Sequence, residues 1–114
     1  MKKTVILLIL SLFICQAVYA HSPSDINISY SQSTKMLKAI ISHDVADPNN
    51  HYVREVIVGL NGKYIVEQFL SGQDNKTTQT VSYLIPDAKI GDTFYVEAYC
   101  SISGKLRKEI KISR

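Results

Sequence analysis

Beyond residue 25 the chain alternates apolar and polar residues with a period of two, and no helical period is visible. Residues 26–30 place Ile26, Ile28 and Tyr30 on one side. Residues 36–42 do the same with Leu37, Ala39 and Ile41, and His43 falls on that face at the end of the run. Residues 53–60 are rich in β-branched side chains, which suit a pleated, packed strand. Asn61-Gly62 follows at once, and residues 63–70 continue beyond it; Asn-Gly between two such runs predicts a hairpin, because both turn positions tolerate positive φ. Residues 77–85 form a fifth run and residues 93–102 a sixth. In the sixth, Phe94, Val96, Ala98 and Cys100 share one parity, so Cys100 is expected as an inward thiol where a core strand ends. Gly104 breaks that run. In residues 106–112, Leu106, Ile110 and Ile112 point inward and Arg107, Glu109 and Lys111 outward, with Lys108 breaking the pattern. Seven short strands, separated by turn signals about every ten residues, predict an all-β chain: a seven-stranded, immunoglobulin-like antiparallel β-sandwich. The tryptophan and the paired cysteines of antibody domains are absent.

The front of the chain obeys another rule. Met1-Lys2-Lys3 is basic, residues 5–14 are apolar except for Ser11, and Val18-Tyr19-Ala20 offers compact residues where a signal peptidase reads. Residues 1–20 are therefore expected to be a signal peptide cut before His21, leaving residues 21–114 as one domain in the periplasm or outside the cell. The apolar run is short for a membrane span, and Ile14 before Cys15 is too large for a lipoprotein signal. Cleavage removes twenty of 114 residues and two lysines. The remaining 94 residues carry eleven basic and ten acidic side chains, a net charge of +1. Such a balance gives no electrostatic reason to bind nucleic acid or an anionic membrane. No glycine-rich phosphate loop, Ser-His-Asp pattern or Cys-x-x-Cys pair is present. Asn27-Ile28-Ser29 and Asn75-Lys76-Thr77 match the glycosylation sequon and are expected to stay unmodified behind a leader of bacterial style.

Cys15 leaves with the leader, so Cys100 stands alone and no intramolecular disulfide can form. Three readings of Cys100 follow: a small buried core residue, a metal ligand held as thiolate, or one half of an intermolecular disulfide. His43 and His51 flank a polar loop at the end of the second strand, beside Asp44 and Asp47. They read either as a polar pair at the rim or as metal ligands. His21 would be the first residue after cleavage. Its imidazole and free α-amine would form a chelate suited to copper, unless it is simply the start of a mobile terminus. Imidazole with thiolate suits iron, copper or zinc better than calcium or magnesium.

His51-Tyr52-Val53-Arg54-Glu55-Val56, then Asn61-Gly62-Lys63, then Tyr99-Cys100-Ser101-Ile102-Ser103-Gly104 resemble the ferrous-iron domain of desulfoferrodoxin and neelaredoxin, the superoxide reductases. The resemblance covers roughly residues 36–112. It implies a seven-stranded immunoglobulin-like sandwich and an iron ion (Fe2+) held by four histidines and one cysteine, with an open position where superoxide gains an electron. Carried over, His43 resembles the histidine before the family's loop, His51 the one after it, and Cys100 the thiolate. Ser103 stands where the turn histidine belongs, and an upstream histidine and a lysine near the open position have no counterpart. The resemblance thus implies a transition-metal site of His43, His51 and Cys100, which His21 could help rebuild with iron or copper. A redox role would call for an electron donor.

A fainter resemblance links the chain to the small sandwich subunit of the sulfur-oxidation carrier complex, which implies a metal-free module that binds a protein partner. Tyr30, Tyr52, Tyr64, Tyr83, Tyr95 and Tyr99 are numerous enough to line such a surface, or are simply the tyrosines common on sheets. Phe69, Leu70 and Ile85 fit a surface or a core equally.

Overall fold

The computed structural model describes residues 21–114; the expected leader, residues 1–20, lies outside the described residues. Seven strands follow one another: β1 (Asp25–Ser31), β2 (Met36–Ser42), β3 (Val53–Leu60), β4 (Lys63–Phe69), β5 (Thr78–Leu84), β6 (Thr93–Cys100) and β7 (Lys105–Lys111). No helix occurs among the described residues. The strands form two antiparallel sheets, ordered β1-β2-β5 and β4-β3-β6-β7. The architecture is all-β and compatible with a sandwich.

The core lies where the inward parities of the two sheets meet. Ile26, Leu37, Ala39, Ile41 and Val81 come from one sheet, and Val53, Val56, Val58, Phe94, Val96 and Ala98 from the other. Burying such side chains stabilises by roughly 1.5–3 kcal/mol each, which is what drives the sheets together. The period-two reading therefore holds for β2 and β6. Ile85 joins the core, whereas Phe69 is turned to solvent.

β3 departs from simple alternation. Val53 pairs with Cys100 and Glu55 with Tyr99, so the register shifts by one residue between them. This bulge lets Val53 and Val56 both face inward although they are three residues apart. It also bends the start of β3 beside the end of β6, where the candidate chemistry lies. The hairpin after β3 forms as expected, with Asn61 and Gly62 both at positive φ.

Antiparallel alternation sorts the strand ends. β1, β3, β5 and β7 begin at one rim, and β2, β4 and β6 end there, as the pairs Asp25 with Ser42, Ser42 with Thr78 and Val53 with Cys100 show. His43 after β2, His51 before β3 and Cys100 at the end of β6 must share that rim. β6 stops at Cys100 rather than running to residue 102, because the Cys100 N–H donates to the Gly104 carbonyl at 2.9 Å and closes a turn.

That turn holds the segment that precedes β1. Gly104 has φ +88°, and a Cβ there would stand 2.5 Å from the Ser22 hydroxyl and 3.0 Å from the Ser22 nitrogen. Pro23 is buried, and the Ser24 N–H donates to the Ser42 carbonyl at 2.8 Å. Residue 21 is thus set on the rim by contacts that follow it in sequence.

Gly62 offers an internal control, since its φ is +80° and nothing lies within 4 Å of its added Cβ. Gly62→Ala should cost about 1 kcal/mol, the conformational cost alone. Gly104→Ala should cost that plus the displacement of Ser22, about 2–3 kcal/mol in all. Urea unfolding of both variants measures the difference; equal losses would mean that the turn does not brace the segment.

Candidate metal centre at the sheet rim

His43 is fully buried, so both its ring nitrogens need partners. Nδ1 lies 2.9 Å from Gln73 Oε1. The Gln73 side chain can be oriented from its other contacts. Its Nε2 donates to the carbonyls of His43 at 2.7 Å and Asn75 at 3.0 Å, and its Oε1 accepts the Val53 N–H at 3.2 Å. Oε1 is therefore an acceptor, which makes His43 Nδ1 the donor and leaves Nε2 with a lone pair in the neutral ring. Nε2 faces the carbonyl oxygen of His21 at 3.2 Å. Two lone pairs at that distance repel. A proton on Nε2 would turn the repulsion into a hydrogen bond; a metal ion about 2.0–2.1 Å from Nε2 would have to take the oxygen as a further ligand or displace it.

The other two histidines lie close to the His43 ring. Ring centroids are 5.1 Å apart for His21 and His43, 5.3 Å for His21 and His51, and 4.9 Å for His43 and His51. One donor nitrogen from each lies within 4.8 Å of the other two. Tetrahedral or tetragonal ligands at about 2.0–2.1 Å from one ion stand roughly 3–4 Å apart, so small side-chain rotations close the set. Burial, and then repulsion from His43 and His21, holds the His51 imidazole below its ordinary pKa. The shift favours the neutral ring, the form that can bind a metal.

Cys100 is buried, and its sulfur lies 3.2 Å from His51 Nε2. The Ile102 N–H points at the same sulfur from 3.5 Å. The thiol is not one of the mutually close group of three; it meets that group through His51. All four residues singled out in the sequence therefore reach one rim, three of them as a cluster and the fourth against one member of it.

The acids divide. Asp47 turns both carboxylate oxygens into its own loop, accepting from the Asn49 N–H at 3.1 Å and the Asn50 amide at 2.6 Å. Those two hydrogen bonds, the Asn49 one first, hold its carboxyl below the usual range. Its carbonyl also accepts the His51 N–H at 2.9 Å, so Asp47 positions His51 and offers the centre no oxygen. Asp44 lines an open cleft of about 470 Å³ with His21, Val45, Ala46 and His51. A small ligand could approach His21 and His51 from there.

Gln73 is the functional residue that sequence reasoning missed. It sits in a polar loop between β4 and β5, and only its depth gives it away. Ser103 lies in the turn that closes β6 and adds no imidazole.

No protein-family model and no curated protein matches this chain.

Long-range 1H–15N NMR at neutral pH should show His43 protonated at Nδ1, with the Nε2 proton absent from the neutral ring. A neutral ring carrying its proton on Nε2 would contradict the Gln73 orientation. Gln73→Leu keeps the volume and leaves His43 Nδ1, two carbonyls and the Val53 N–H without a partner. It should cost at least about 2 kcal/mol of stability in a denaturant titration.

Proposed function

We propose that the mature chain is an exported, immunoglobulin-like sandwich that holds one transition-metal ion, iron or copper, through His21, His43 and His51, with Cys100 beside His51. One observation carries this reading: three imidazole nitrogens, one with its tautomer fixed by a buried amide, lie within 4.8 Å of one another. In the neutral ring the His43 Nε2 lone pair faces the His21 carbonyl, which cannot donate to it.

The donor set fits the ion that the desulfoferrodoxin resemblance implies in kind, imidazole and sulfur, though with fewer imidazoles. A bound iron or copper ion would supply one-electron chemistry toward a small oxidant such as superoxide. The residues do the rest. Gln73 orients His43. Asp47 orients His51. Cys100, shielded from solvent, lies 3.2 Å from His51 Nε2. The cleft at Asp44 reaches His21 and His51. Superoxide reduction is the activity proposed for this arrangement.

Protein beginning at His21 and loaded anaerobically with Fe(II), or aerobically with Cu(II), should retain close to one metal per chain after desalting. His51→Ala should weaken binding by on the order of 100-fold or more, since even outer partners of metal ligands are worth roughly 10–100-fold. Cys100→Ala should abolish superoxide consumption while leaving a measurable metal content. Protein that retains no metal under either loading would overturn the reading and favour the metal-free interaction module, for which Phe69 and Leu84 are the most exposed large apolar side chains among the described residues.

A further inference from the structure

Residue 21 contributes more than its ring to the rim. Its carbonyl oxygen stands 3.2 Å from His43 Nε2, so its main chain lies inside the cluster. The α-nitrogen of the same residue is three bonds from that oxygen, which keeps it within about 4 Å of it. The segment is fixed from downstream, by Pro23, by the Ser24–Ser42 hydrogen bond and by the Ser22 contact with Gly104. Whatever precedes residue 21, these anchors hold it in place.

What precedes it decides the chemistry of that nitrogen. In an uncut chain it is a peptide nitrogen, whose lone pair is delocalised into the Ala20 carbonyl and is poorly available to a metal. Hydrolysis of the Ala20–His21 bond by a signal peptidase consumes one water molecule. The hydroxyl goes to the Ala20 carbonyl carbon and a hydrogen to the His21 nitrogen, which becomes a primary amine with a localised lone pair. Amine and imidazole of one residue then close a six-membered chelate ring around a metal. The second donor is already present at high effective concentration once the first has bound.

We propose that cleavage before His21 completes the metal centre, adding the His21 α-amine as a fourth nitrogen and turning a three-imidazole site into a four-nitrogen site selective for Cu(II). This inference rests on the metal-binding reading above. Tetragonal nitrogen coordination is what Cu(II) prefers, and it tops the affinity order of the divalent first-row ions. The copper site would then form only after export, because the leader keeps the fourth ligand masked in the precursor.

The test uses one protein in two states. A carrier domain without metal-binding residues is joined ahead of His21 by a flexible linker, and a site-specific protease then releases a chain that begins at His21. Cu(II) affinity is measured by competition with a chelator before and after the cut, and the nitrogen donors are counted by electron paramagnetic resonance. The expected result is a gain of at least about tenfold on cutting, the lower end of what one supporting group contributes, with one additional nitrogen in the hyperfine pattern. Equal affinity and an unchanged donor count would overturn this inference and leave the three-imidazole site standing. Absence of bound copper in both states would overturn it together with the reading on which it rests.

Discussion

A buried imidazole with its tautomer fixed at one nitrogen must find a cation or a donor at the other. His43 is in that position. Gln73 takes the Nδ1 proton because its own amide is committed to two carbonyls, and Nε2 is left facing the oxygen of His21. The rest of the rim can be understood from this contact. Asp47 turns His51 toward the same space, the Gly104 turn holds the segment bearing His21, and Cys100 ends β6 against His51. Each piece has its own local reason to form, and together they bring His21, His43 and His51 to one rim.

The fold beneath this rim is stabilised by ordinary means. Two sheets bury alternating apolar side chains, and the wide outer face of the larger sheet carries the charges. Glu97 shows how. Burial would raise its carboxyl, but hydrogen bonds from Tyr99 and Arg107 outweigh that and hold it below the usual range. Arg107 in turn covers the Tyr95 ring at 3.9 Å. Tyr95 and Tyr99 of this face are thus engaged with charged neighbours.

Much of this was legible in the sequence, for a physical reason. A period of two is forced by the pleat, so the parity that made Phe94, Val96 and Ala98 core residues also made Cys100 inward, and the same held for His43 after Ile41. Antiparallel order then sent both to one rim. The bulge between Val53 and Glu55 was not legible, since bulges leave no composition signal when valines sit on both sides. Gln73 was not legible either, because a glutamine in a polar loop looks the same whether it faces water or plugs the end of the core. The strand ends shifted by one or two residues wherever a turn hydrogen bond, such as Cys100 to Gly104, overrode the pattern.

The central claim is that three imidazoles far apart in sequence share one ion. Anomalous diffraction from crystals soaked in a copper or zinc salt tests it directly. The account expects one strong peak about 2.0–2.1 Å from His43 Nε2, within bonding distance of a nitrogen of both His21 and His51. A rim without a peak, or metal bound instead at the Asp44 or Asp47 carboxylates with the three rings unliganded, would contradict it.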